Sequence, residues 1–437
     1  MDSDLLLRYA NQSYSPSNRA RDFLLRDPRF SWANNLLEEN KRSDILLAGS
    51  SLRDVLMGHV PAHPSITVTG LSPKNIRQAL TPTGNLDLEG GEHAMTYRPK
   101  SAPHENLYIL VNHLPPTDFT FDAPLYSLRE ESLADNQNGL ADLHAGVIRV
   151  PGYPLRTFAE DPLRMLRTLR LAASHGLHIA AETWHALQCS LPRLNKISRN
   201  DAGKAEFTHP RQVIGSSFLD TLLHHPTYGS SLIGDSGFGH LVAPELSHGA
   251  WAQGEAALDT LTHKDTLGHF KLATISAAAI VAALFMYHER NSKLAADFLK
   301  KFHLGHLTKD VSWLLANLDH FHTHDPASMS PSAFEKHFAS ERGRNLLALM
   351  HAKFLHDGSH HIARERLHVA RRLLDALHAK TALLPKLIRG RDLSILGVTP
   401  GPFYRDLMKK VRDSQLAGKL QNRDDALSFL QLHISKI

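Results

Sequence analysis

The sequence predicts an α+β protein, a small α/β head followed by an all-helical neck, body and tail, and two observations carry that expectation. In the first third, short apolar runs alternate with turn residues; after Gly152 the apolar residues recur at helical spacing almost to the end. In the head, ILLAGS, SITVTG, NLDLEGG, MTYRPK and LYILVN read as strands, with LRDVLMG and NIRQAL as helices between them. The helical part opens on PLRMLRTLRLAASHGL, where Leu163, Leu166, Leu169 and Leu171 share a face that the arginines leave.

Two polar, glycine-rich stretches read as joints: SRNDAGKAEFTHPR around residue 203 and HHPTYGSSLIGDSGFGH around residue 233. In the tail, LGVTPGPF ends one helix and Pro402 opens the next. The expected division is a head over 1–150, a neck over 151–232, a body over 233–380 and a tail over 381–437.

A chain of 437 residues with 42% hydrophobic and 21% charged residues can bury a full core. Its formal charge of +5, with 30 histidines that add positive charge below about pH 6.5, suits a polyanionic partner. The single cysteine, Cys189, excludes an internal disulfide and a multi-cysteine zinc site; a reducing, cytoplasmic setting fits, and the residue is expected in the core. The opening MDSDLLLRYANQ has acids where a secretory signal has bases. The most apolar stretch, 272–287, is shorter than the roughly 20 residues a membrane span needs and reads as a buried helix, so no membrane partner is expected.

Four stretches, in order, carry a family resemblance. They are LLAGSSLRDVLMGHVPAHPSITVTG; EHAMTYRP with DFTFDAPLY; NGLADLHAGVIRV leading into EDPLRMLRTLRLAA; and LIRGRDLSILGVTPGPFYRDLMKKV with LQNRDDALSFL. Together they resemble the class II tRNA nucleotidyltransferase (CCA-adding) and bacterial poly(A) polymerase family. The resemblance implies a nucleotidyltransferase-like head of the polymerase β type, an EDPLR motif in the neck and a tail that meets tRNA.

It also implies where catalysis would sit. That family transfers nucleotides with two magnesium ions held by an Asp-x-Asp strand and a third acid on a neighbouring strand; the matching positions here are His63, Ser65 and His93. None is a carboxylate, so no intact catalytic set, no metal and no cofactor are expected. Glu92 adjoins His93 but points to the other face of a strand. Candidate nucleotide-binding residues are Gly49 and Ser50 of the turn, Arg53, Asp54, Asp118, Asp161 and Arg164, the last two expected side by side on a helix; Arg53 and Asp54 read equally as a solvated first turn. Pro116 and Thr117 replace the family's paired arginines, Asp122 replaces its Asn, and Asn200-Asp201 replaces a later Glu-Arg. In AALFMYHER, Met286 and Tyr287 stand where some relatives carry a phosphohydrolase His-Asp pair.

Basic residues on the helical part are the RNA-binding candidates: Arg364, Arg371, Arg389, Arg391, Arg405, Lys409 and Lys410. Three readings stand. The first is an RNA-binding pseudoenzyme, tRNA being the expected ligand. The second is a working transferase that uses Mg2+ with ATP or CTP and a displaced acid such as Glu92, Asp118 or Asp122. The third is a protein scaffold or silent subunit beside an active paralogue.

Overall fold

The computed structural model describes residues 15–89, 91, 93–199, 205–356, 361–381 and 385–434. These group into two compact units that divide between Arg193 and Leu194.

The first unit is built on a seven-stranded sheet. Its strands are β1 (Asp44–Ala48), β2 (Ser65–Thr69), β3 (Gly84–Leu88), β4 (Ala94–Pro99), β5 (Leu107–Val111), β6 (Leu125–Ser127) and β7 (Ser132–Ala134), in spatial order β3-β4-β5-β2-β1-β6-β7. Only β2 and β5 run parallel; each other neighbouring pair is antiparallel. All five strands read from the sequence are present, as are both helices, Gly49–Leu56 and Pro73–Leu80. The second helix starts as its sequence dictates: Pro73 occupies the first turn, and Ser72 Oγ accepts a hydrogen bond from Asn75 N at 3.2 Å. β6 and β7 are additional.

The head core forms where the alternating apolar residues of β1, β2 and β5 meet the helices. Ile45, Leu47, Ile66, Val68, Ile109 and Val111 pack with Phe23, Leu24, Leu52 and Val55. One close approach locates the loop before β6. A Cβ on Gly139 would lie 2.1 Å from the Thr120 carbonyl oxygen, so only glycine fits there.

Beyond the sheet, Pro154–Glu160 and Leu163–His175 are two helices broken at Asp161-Pro162, and Gly176, at φ +64°, ends the second. Met165, Leu166, Thr168, Leu169, Ala172 and Ala173 are buried on it, while Leu163 and Leu171 are half-buried. Cys189 is exposed on the helix Ala181–Ser190, with His185 Nε2 3.7 Å from its Sγ, a correction to the expected core position.

The second unit is helical. Ala277–Phe285 lies at its centre, and every residue from Ala278 to Phe285 is buried. Ser276 caps it, its Oγ accepting from Ala279 N, while its own N–H donates to the buried Asn345 Oδ1 at 3.2 Å. Tyr287 and His288 are half-buried and Glu289 is exposed. The tail helices Gly390–Ile395, Pro402–Leu416 and Arg423–Ile434 share their own cluster around Leu393, Leu407, Val411 and Leu430, and Pro402 stands in the first turn of its helix.

The stretch expected as a joint around residue 233 is helix instead, Pro226–Ser236 followed by Phe238–Val242. Its glycines permit close helix packing. A Cβ on Gly229 would reach 2.4 Å from the Thr221 carbonyl oxygen, and one on Gly234 would reach 2.6 Å from Trp251 Nε1. The stretch around residue 203 is flanked by a short pairing of Ile197–Arg199 with Ala205–Phe207. Among the described residues, no helix is long and apolar enough to cross a membrane.

Candidate nucleotide and RNA site

The start of β2 is where aligned acids would have to gather. Ser65 opens the strand, its N–H donating to Ser51 Oγ at 2.8 Å and its own Oγ 3.2 Å from the same atom, so the residue is tied to the helix Gly49–Leu56. His63 stands in an exposed bend before the strand, separated from it by Pro64. In the parallel pairing with β5, the partner of Ser65 is Tyr108, whose ring centroid lies 6.5 Å from that of His63.

His93 is not brought to this end. Its carbonyl accepts from Val111 N at 2.9 Å, Val111 is paired with Val68, and its ring lies 5.1 Å from that of His113. The antiparallel run of β4 against β5 carries His93 to the opposite end of β2, which corrects the expectation that it gathers with His63 and Ser65. Tyr108 is the strand neighbour of Ser65, and the groups at this end of the two strands are an imidazole, a hydroxyl and a phenol. A pair of magnesium ions needs several anionic oxygens, so these residues do not fit the two-ion clamp. Among the described residues, no three His, Cys, Asp or Glu side chains converge as a metal-holding group. Glu92, Asn200 and Asp201 lie outside the described residues.

The turn after β1 is closed over. Gly49 has φ +63°, and a Cβ there would meet Pro115 Cγ at 3.0 Å. Ser50 is exposed, but Arg53 is not the phosphate-facing or solvated residue expected: it is 9% exposed. Its Nη1 donates to Asp122 Oδ1 at 2.9 Å, and its Nε and Nη2 donate to Asp54 Oδ1 at 3.0 and 2.8 Å. Burial pushes the Asp122 carboxyl up to about 6; Arg53 opposes the rise, and the nearby Asp118 and Asp54 add to it.

Asp118 sits in a second lattice of charge. Arg167 Nε and Nη2 donate to its two oxygens at 2.5 and 3.0 Å, and Arg164 Nε forms an ion pair with Oδ1 at 3.1 Å. Arg167 Nη2 also donates to Asp161 Oδ2. Burial lowers the Arg167 pKa, but the hydrogen bonds to Asp118 and Asp161 outweigh it, and the net direction is up. Asp161 does not share a helix with Arg164. It occupies the break, where its Oδ1 accepts from Leu163 N at 3.2 Å and its carbonyl from Arg164 N at 3.2 Å. Both edges expected to face a base are thus engaged by neighbouring charges.

On the helical unit, Arg389, Arg391, Arg405 and Lys409 are exposed. Lys410 is exposed and pairs with Asp406 at 2.7 Å. Arg371 is half-buried, while Arg364 is turned inward, its guanidinium donating to the Phe354 carbonyl. Arg364 therefore caps a helix end and is withdrawn from the RNA candidates.

No known family's sequence profile matches the chain. A CCA-adding enzyme of Streptococcus mutans is 30% identical over 190 residues, 39% of this chain and 47% of that protein. Poly(A) polymerase I of Escherichia coli O157:H7 is 29% identical over 182 residues, 35% of this chain and 38% of that protein. Over those aligned residues the chain is similar in sequence to these enzymes. The aligned parts span about half the length of the CCA-adding enzyme and less of the polymerase. In fold, the Thermotoga maritima CCA-adding enzyme complexed with tRNA superposes with a TM-score of 0.61 at 16% identity, over 94% of this chain and 98% of that one. The Bacillus stearothermophilus CCA-adding enzyme in complex with CTP gives 0.58 at 16%, with the same coverage. Head and helical part both have the CCA-adding enzyme fold.

Tyr108, Pro115 and the partnership of Arg53 with Asp122 escaped the sequence reading. For the last there was a signal. An added acid at 122 together with an arginine at 53 is the composition of an internal ion pair.

Proposed function

We propose that the protein is an RNA-binding homologue of the CCA-adding enzymes that takes tRNA or a similarly structured RNA and does not itself transfer nucleotides. The observation that carries this reading is the β2–β5 register, which sets Ser65 beside Tyr108, next to His63, where carboxylates would be needed to hold metal. The arginines Arg53, Arg164 and Arg167, which would otherwise meet phosphate or base, are engaged by Asp54, Asp118, Asp122 and Asp161. The same contacts weigh against Asp118 or Asp122 as displaced metal ligands, since each is already neutralised by arginine. RNA binding is supported by the exposed cations of the tail and by a fold neighbour whose structure contains tRNA.

The test is to incubate the protein with tRNA lacking its terminal CCA, Mg2+ or Mn2+, and labelled CTP and ATP, and to read both product length and filter-retained RNA. Retention that weakens steeply with salt, without extension, is expected. Extension that disappears in Asp118→Asn would establish a rearranged active site, and absence of both signals would favour a protein scaffold.

A further inference from the structure

A groove of about 800 Å³ lies in the helical unit, between the helices Pro331–Phe338 and Pro402–Leu416 and the segment before Gly390. Its floor includes Leu387, Tyr404 and Met408; the last two stand four apart and so share one helix face. Lys336, Lys386, Arg405 and Lys409, all exposed, line it from three separate segments. Its one carboxylate, Glu335, is taken by Arg412, whose Nε donates to Oε2 at 2.8 Å and whose Nη2 donates to Oε1. The groove therefore combines an apolar floor holding one aromatic ring with four cations that no acid of the groove offsets. The ring is closely fitted, for a Cβ on Gly390 would come within 2.4 Å of the Tyr404 hydroxyl.

We infer that this groove holds an unstacked nucleotide of a single-stranded RNA segment, its base against Tyr404 and Met408 and its flanking phosphates on Lys336, Lys386, Arg405 and Lys409. The inference rests on the RNA-binding reading above and deepens it, from charge contact alone to a base platform. The volume falls in the range of about 300–1,000 Å³ that encloses small ligands. A base stacked on an aromatic ring with lysines along its backbone is the physical pattern by which proteins hold single strands without reading sequence.

The full chain is tested with a uridine dodecamer carrying 4-thiouridine, in parallel with tRNA. Irradiation is expected to crosslink the oligomer at Tyr404 or Met408. Tyr404→Leu, which keeps apolar bulk but removes the ring, should weaken oligomer binding by about tenfold, and Tyr404→Phe should restore it. The exposed pair Lys336→Ala/Lys409→Ala should lower the slope of log affinity against log salt by about 1.4, two single-strand phosphate contacts; this pair decides the matter if Tyr404→Leu proves unfolded by circular dichroism. Oligomer binding with crosslinks elsewhere and an unchanged salt slope would overturn the groove while leaving RNA binding intact. Loss of poly-glutamate binding equal to that of RNA would overturn it too, by showing an acidic-peptide or general anion surface. Failure of the wild type to retain either RNA at low salt would bring down both readings.

Discussion

Arg53→Met is expected to destabilise the head by about 3 kcal/mol at pH 7.5, because it leaves the buried Asp122 carboxylate without its cation. Asp54 also loses a partner, and Asp118 and Asp54 already repel Asp122. The cost should shrink as pH falls. The Asp122 pKa is raised from 3.8 to about 6 in the folded protein, so its neutral form is the better tolerated one; the strain it imposes is full above pH 6 and is relieved between 6 and 3.8. Without Arg53 that relief begins at higher pH, and the penalty at pH 5 should fall to about 1 kcal/mol. Because the chain has two compact units, amide hydrogen exchange in β1 and β2 is the suitable measurement rather than one global melt. Asp122→Asn added to Arg53→Met should return part of the loss, a coupling of about 1–2 kcal/mol. A penalty under about 1 kcal/mol, equal at both pH values, would refute the role given to this pair.

Acid should destabilise the helical unit through two histidines. Burial lowers the His320 pKa to about 4, with His324 and His337 adding repulsion, and lowers that of His351 to about 4, with His269, His368 and Arg371 adding to it. The His320 ring is stacked on those of His324 and His337, at 4.3 and 5.1 Å, so protonation there sets like charges face to face. Both groups are neutral in the fold above pH 4, whereas unfolded they take protons from about 6.5 downward. Stability is therefore full above pH 6.5 and declines as pH falls to 4. Allowing for solvent screening of their exposed edges, each histidine accounts for on the order of 1–2 kcal/mol across that window. The Asp122 effect runs the other way, but in the other unit. Thermal unfolding at pH 7.5 and 4.5 should show a fall in Tm that narrows in His320→Phe/His351→Leu; an undiminished fall in the double variant would assign the acid sensitivity elsewhere.

The head's strands were legible because alternating apolar residues between turn residues admit little else, and the buried helix Ala277–Phe285 because its apolar run is too short to span and too apolar to lie at the surface. β6 and β7 were not, since three-residue strands such as Leu125–Ser127 carry no measurable period. Glycine composition misled around residue 233, where Gly229 and Gly234 serve close packing rather than a bend. At the site, it was legible that His63 and Ser65 offer no carboxylate. The third position was not, because which residue of β4 or β5 meets Ser65 is fixed by strand direction and register, and those depend on contacts across the sheet. Partnerships over long separations, such as Arg53 with Asp122, are settled by the same tertiary geometry.

Arg167 reaches from the helix Leu163–His175 both to Asp118, just before the turn into β6, and to Asp161, in the break between helices. One guanidinium thus fastens the sheet's connecting loop to the hinge-like kink beside it. A kink held in this way cannot open without parting the Arg167–Asp161 ion pair, while the second helix stays tied to the loop through Asp118. Displacement of the helix Leu163–His175 would therefore pull on the loop that leads into β6.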